Sequence, residues 1–301
     1  MFRIIQKRRW LFILSLLILV PGLVALVRFG LKLGIDFTGG TRMVVAFSGD
    51  RPSGTSVIAT VSDLDLGQVT TQTAGQKEMV LRLSSISNDQ RQRLLERLQE
   101  KFPGAMEASF DSIGPTIGAE LLRKAYLALG LVLLAIVVYV SWAFRRVNVG
   151  PVPASVYGLS AIVALAHDVL VVVGIFAILG HYRGAEIDSL FVTAVLTVLG
   201  FSVHDTIVVF DRIRERLLIG GESTFEDTVN VSLNQTLTRS LNTSLTTLFV
   251  LVALYLFGGE TIKYFVLALI IGIVSGTYSS IFVASPLLVV YEGWKRRRAH
   301  R

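Results

Sequence analysis

The sequence contains no cysteine. That excludes a disulfide scaffold, thiol catalysis and cysteine-ligated metal sites, and says little about compartment. Charge is also scarce. Charged residues make up 17% of the chain and the A, V, I, L, M, F, W, Y and C set makes up 52%, with a mean hydropathy of +0.62. Soluble domains carry about 25% charged residues, so neither an ordinary soluble enzyme nor a disordered chain fits. What remains is a polytopic membrane protein with a modest water-exposed part.

A membrane helix needs about 20 mostly apolar residues. Six runs qualify: Trp10–Val27, Tyr126–Phe144, Ser155–Leu179, Ser189–Phe210, Leu241–Phe257 and Tyr264–Tyr291. The first follows Arg3, Lys7, Arg8 and Arg9, as a signal peptide would. Its apolar stretch is long and no small-x-small cleavage site follows, so it reads as a retained span. Lys and Arg set the orientation. They crowd the N-terminus, the second connection (Arg145, Arg146), the fourth (Arg212, Arg214, Arg216, Arg239) and the C-terminus (Lys295, Arg296, Arg297, Arg298, Arg301). The short connections on the other side hold only Arg183 and Lys263. Both termini are therefore expected in the cytoplasm. Trp10, Trp142 and Trp294 fall at the cytoplasmic ends, where interfacial aromatics belong. This topology signal explains the net charge of +7 without a nucleic-acid partner.

The expected organisation is 1–29 (cytoplasmic N-terminus and first span), 30–124 (an extracytoplasmic α+β domain), 125–294 (a bundle of five further helices) and 295–301 (a basic tail). Residues 30–124 hold 11 basic and 11 acidic residues, a soluble-looking mixture, and suffice for one small domain. Thr41–Phe47, Val69–Thr73, Glu78–Leu83 and Glu107–Ile113 read as strands, and Ser53–Asp63 and Asp89–Phe102 as helices. The order β-α-β-β-α-β predicts a ferredoxin-like sandwich. The region has no histidine. Asp63 and Asp65 fit a solvated turn better than paired acid and base, so it reads as a binding or mechanical module.

Ionisable groups inside spans are expensive and mark pathways or relays. The third span holds His167-Asp168, about 13 residues from its cytoplasmic start and so near the midplane. The fourth holds His204-Asp205. Thr193, Thr197, Gly200, His204 and Asp211 form one small, polar helical stripe beside Asp205, expected to face helices or water rather than lipid. Arg239 lies in a polar lead-in to the fifth span that includes Asn234 and Ser240. Consecutive antiparallel helices bring Arg239 to the depth of Asp205, so the two are expected to pair. A carboxylate that alternately meets and leaves a guanidinium switches its proton affinity, which suits proton coupling. Packing contacts are the bland reading, preferred for His167 and His204. Asp188 is expected to cap the fourth helix. Ser223-x-x-Glu226 predicts a short surface helix before the fifth span. Gly272 and Gly276, with Ser275 and Ser279 adjacent, form a GxxxG packing motif whose partner the sequence does not give.

Four segments carry a resemblance: Gly34-Ile35-Asp36-Phe37-Thr38-Gly39-Gly40, Ser112-Ile113-Gly114-Pro115-Thr116-Ile117-Gly118-Ala119-Glu120-Leu121, Ala166-His167-Asp168-Val169, and the run from Gly200 to Glu215 around His204-Asp205. Together they resemble the signatures of the SecF family, and the likeness runs from the first span to the last. The resemblance implies a resistance-nodulation-division architecture: six spans, with the external domain after the first. It implies an inner-membrane partner of SecD that assists the SecYEG channel and acts on unfolded preprotein at the outer face. A proton gradient, or sodium in some relatives, drives such proteins, with no cofactor and no enzymatic activity. The family's membrane Asp and Arg correspond to Asp205 and Arg239. Relatives often carry Asn where His204 stands, which leaves that histidine's part in the relay open. Because residue 1 lies directly before the first span, SecD is expected in trans. Two other classes compete with this reading. One is a stand-alone ion-coupled transporter of lipid or small molecules of the same superfamily. The other is an intramembrane aspartyl enzyme, for which Asp168 and Asp205 lack a Gly-x-Gly-Asp pattern.

Overall fold

The computed structural model describes residues 2–144 and 150–299. Arg145, Arg146 and Arg301 of the orientation argument lie outside them. The chain divides into two compact units, a helical bundle and a smaller unit of Lys32–Leu127 with Glu186–Ser189.

The smaller unit contains a four-stranded antiparallel sheet in the order β2-β3-β1-β4. Its strands are β1 (Gly40–Phe47), β2 (Thr70–Ala74), β3 (Glu78–Leu83) and β4 (Ala105–Ile113). Helix α3 (Gly54–Val61) follows β1 and α4 (Asn88–Lys101) follows β3, giving the expected ferredoxin-like β-α-β-β-α-β path. Two serines start the helices. Ser53 accepts from the Ser56 N–H. Ser87 and Gln90 form a reciprocal capping box at α4. Periodicity then does the packing. Val57 and Val61 of α3, Leu94 and Leu98 of α4, and Met43, Val45 and Leu81 of the sheet are buried in one cluster. Each such side chain contributes about 1.5–3 kcal/mol on burial. A bulge between Val44 and Val45 shifts the register of β1 against β4. A one-turn helix, α2 (Ile35–Thr38), precedes β1; four residues are too few for periodicity to reveal.

Among the described residues six helices are long and apolar enough to cross a membrane: Ile5–Phe29, Pro115–Phe144, Ala154–Arg183, Ser189–Ile219, Phe225–Phe257 and Lys263–Ala299. The first contains α1 (Arg8–Phe29); the next four are α5 to α8 in order. The last is α9 (Lys263–Ser279), a π-turn at Ser280–Ala284, and α10 (Ser285–Ala299). One helix runs beyond its apolar stretch, and one expectation is corrected. Helix α5 begins at Pro115, well before the apolar run, with proline in the first turn, where its missing N–H costs nothing. The short surface helix before the fifth span does not exist as a separate element. Thr224, not Ser223, caps a single helix through Phe257 by accepting from the Asp227 N–H. Phe225, Val229 and Leu233 are buried along its first turns and carry the helix straight into the span. The polar residues of that stretch also have partners. Asn230 accepts from the N–H groups of Ile4 and Ile5, and Asn234 from that of Phe2.

Candidate functional site

Asp168 on α6 is completely buried. Its Oδ1 accepts from Ser275 Oγ at 2.8 Å and from His167 Nδ1 at 3.1 Å. Its Oδ2 accepts from Ser202 Oγ at 2.6 Å and Ser279 Oγ at 2.7 Å. A carboxylate has about four lone-pair positions; with His167 in the tautomer that bears hydrogen on Nδ1, these contacts use all four. His167 Nε2 is buried without a hydrogen-bond partner among the described residues.

Asp205 on α7 is buried as well, with one donor on each oxygen. Ser240 Oγ of α8 lies 2.6 Å from Oδ1, and Ser280 Oγ of the π-turn lies 2.7 Å from Oδ2. The two sites are built by neighbouring residues. Ser202, one turn before Asp205 on α7, serves Asp168, while Ser279 and Ser280 serve one carboxylate each. A π-turn inserts an extra residue into a helix, and such turns gather at functional sites. Here Ser285 Oγ donates to the Ser280 carbonyl across the turn, at 3.0 Å.

Glycine brings the serines within reach. A Cβ at Gly272 would meet Val198 at 2.2 Å, and one at Gly276 would meet Ser202 Cβ at 2.9 Å. The partner of the GxxxG motif is therefore α7. Close approach there seats Ser275 and Ser279 against Asp168. Ser244 Oγ and Thr277 Oγ1, 2.5 Å apart, continue the hydroxyl contacts between α8 and α9.

The expected pairing of Asp205 with Arg239 is not made. No ion pair joins them among the described residues. Ser240 takes the place beside the carboxylate, and Arg239 is exposed on the neighbouring face of α8, lining a shallow pocket with Asp211, Arg212 and Glu215. Successive helical residues differ by about 100° in direction, so only one of Arg239 and Ser240 can face Asp205 at a time. His204 is exposed too, as are Thr193, Thr197, Gly200 and Asp211. The polar stripe of α7 thus faces away from this chain's own helices.

The two glycine signatures, far apart in sequence, meet within the smaller unit. Gly39 has φ +71°, and a Cβ there would lie 2.7 Å from Pro115 Cα; a Cβ on Gly118 would lie 2.7 Å from the Gly39 nitrogen. Phe37 is buried. Gly34 N–H donates to the Ile187 carbonyl, and the Ile187 N–H to the Lys32 carbonyl, both at 2.8 Å. Asp36 Oδ2 accepts the Ser189 N–H at 2.9 Å. Asp36, rather than Asp188 alone, thus serves the start of α7. Gly40 opens β1 at φ +127°, and Gly114 precedes Pro115 and accepts from Gly118 N–H. Next to this segment Glu186 pairs with Arg82 at 2.6 Å and Lys32 at 3.7 Å. Burial raises its carboxyl above the usual range despite Arg82, Lys32 and Arg42.

Sequence reasoning located both aspartates but not the serines that hold them. Ser275 and Ser279 stand one helical turn apart. Hydroxyls at i, i+4 in a span, opposite a buried carboxylate, are the signal that would have found them.

Comparison with known proteins bears on the whole chain. The model for the C-terminal region of the protein export membrane proteins SecD/SecF matches residues 94–294, and that for the SecD/SecF GG motif matches residues 24–50. The protein translocase subunit SecF of Thermobaculum terrenum is 48% identical, with 97% of this chain and 94% of that one aligned. That of Anaerolinea thermophila is 42% identical, with 99% and 96% aligned. Among solved structures, the crystal structure of SecDF, a translocon-associated membrane protein from Thermus thermophilus, superposes with a TM-score of 0.83 at 31% identity. The match covers 97% of this chain and 39% of that one. A second SecDF structure, in a super-membrane-facing form, gives a TM-score of 0.69 at 32% identity, covering 99% and 40%.

Proposed function

The chain belongs to the SecF family of protein export membrane proteins, and on that premise we propose that it works with SecD to couple a proton gradient to late preprotein movement through SecYEG. In this reading both termini are cytoplasmic, residues 30–124 form the external domain that meets unfolded preprotein, and the polar stripe of α7 faces SecD across the membrane. The exposure of His204 and Thr197 supports that last assignment, because polar side chains in a span are favoured against another helix rather than lipid. The solved SecDF chain, of which this one spans two-fifths, supports a SecD partner.

Asp205 is the coupling carboxylate. The carrying observation is the contrast in hydrogen bonding: Asp168 has four donors, whereas Asp205 has one on each oxygen, from two different helices. A proton arriving on Asp205 turns an acceptor into a donor. The serine on the protonated oxygen then has to accept instead of donate and turn its own O–H elsewhere, as Ser280 can toward the Thr277 carbonyl, which weakens the link between α8 and the last span. Turning α8 by one residue would exchange Ser240 for Arg239. That would place a guanidinium against the emptied carboxylate and favour proton release. Asp168, with His167, is the fixed centre around which this exchange takes place, and His204 lies on the partner side of the relay.

The test is export of a reporter preprotein in cells carrying Asp205→Asn with SecD present. The proposal expects export to fall to the level of cells lacking this chain while the variant still accumulates in the membrane. Full export would overturn it.

A further inference from the structure

Within the helical bundle a groove of about 570 Å³ opens between the start of the first span, α8 and the last span. Leu237, Leu241, Leu245 and Leu248 recur along one face of α8 and form one wall; Ile281 and Phe282 stand opposite. Its polar groups are used: the Ser244 and Thr277 hydroxyls bond each other, and Tyr278 donates to the Leu11 carbonyl at 2.7 Å. One end is different. Arg3 and Lys7 line it, both are exposed, and neither side chain has an ion-pair or hydrogen-bond partner among the described residues. Their neighbour Arg8, by contrast, pairs with Glu226 at 3.0 Å.

We propose that this groove binds a glycerophospholipid with an anionic headgroup, one acyl chain against the leucines of α8 and the phosphate at Arg3 and Lys7. Two observations converge on that occupant. The leucine wall is about 16 Å long at 1.5 Å per residue, about half of a 30 Å hydrocarbon core, which is the depth of one leaflet. The two unpaired cations stand at one end only, where a headgroup would be. The lipid would lie between α8 and the last span, the helices that carry Ser240 and Ser280.

The test is lipid retention by the purified full-length chain, read by native mass spectrometry after delipidation and titration with phosphatidylglycerol or phosphatidylcholine of identical chains. Two basic side chains at an anionic headgroup predict about a 30-fold preference for phosphatidylglycerol. Arg3→Gln with Lys7→Gln, which leaves Arg8 and Arg9 to hold the topology, should bring the two lipids level. Leu245→Trp, filling the groove from an exposed position, should reduce retention of both. Equal retention of the two lipids by the wild type, or an unchanged preference in the double variant, would overturn the proposal. So would a photo-crosslinker at Leu245 that captures a protein helix in membranes instead of lipid.

Discussion

Truncating Asp168 tests how the membrane core is held together. Asp168→Ala removes one acceptor and strands four donors: Ser202, Ser275, Ser279 and His167. In soluble proteins a hydrogen bond to a charged group contributes about 1.5–3 kcal/mol. Between membrane helices the measured average is about 0.6 kcal/mol with a ceiling of about 1.7, because groups freed in a bilayer find other partners. Four bonds at the average amount to about 2.4 kcal/mol, and full burial pushes the loss upward, so about 2–4 kcal/mol is expected. Ser202→Ala, Ser275→Ala and Ser279→Ala each remove one donor and should cost about 0.6 kcal/mol. Asp168→Asn keeps one acceptor oxygen and should fall between. Unfolding in mixed micelles with increasing denaturing detergent reads these differences directly. The reasoning is refuted if Asp168→Ala lies within about 0.5 kcal/mol of wild type, below the cost expected for one bond. A single serine that costs as much as the aspartate refutes it too, since the carboxylate would not be the shared acceptor.

Three further outcomes are expected. Gly118→Leu drives a side chain into the backbone of Gly39 and Phe37 and should cost at least about 1–3 kcal/mol. Gly130→Leu in the same helix, with nothing within 4 Å of its Cβ, should be tolerated; thermal stability and membrane accumulation distinguish the two. Glu186 binds protons more readily folded than unfolded, since burial raises its carboxyl. Its contribution is therefore fully present below the usual glutamate range and is lost as pH rises through the raised value. Melting curves of wild type across mildly acid to neutral pH should show that decline, and Glu186→Gln should flatten it; an identical pH dependence would refute the assignment. Because the sequence has no cysteine, Thr197→Cys introduces a unique thiol on the exposed stripe of α7. It should form a disulfide with a cysteine on the facing helix of SecD, whereas Val195→Cys, buried inside the bundle, should not.

Much of this was legible in the sequence because strong, repetitive signals carry it. Long apolar runs mark six helices. The amphipathic run Asp89–Phe102 places α4 within one residue at each end. Both aspartates stand out because charge in a span is costly. Short or shared signals were harder to read. The one-turn helix at Ile35–Thr38 has no period, and the polar start of α8 looks like a surface helix until Asn230 and Asn234 are seen bonded to the N-terminal backbone. The partner of Asp205 turned on a single residue. Arg239 and Ser240 are adjacent, and a depth argument locates the turn of α8 that reaches the carboxylate without fixing its rotation. Serine is common in membrane helices, so five serines on three helices converge into a site only in three dimensions.

The central claim is that Asp205, and not Asp168, carries the proton that drives export. The direct measurement is late-stage preprotein translocation into vesicles containing SecYEG and SecD, with and without a proton gradient. It compares wild type, Asp205→Asn and Asp168→Asn. The account predicts that Asp205→Asn loses the gradient-dependent component while its basal translocation stays. Asp168→Asn should keep the gradient response in whatever fraction remains folded. A normal gradient response in Asp205→Asn, or its selective loss in Asp168→Asn, would contradict it.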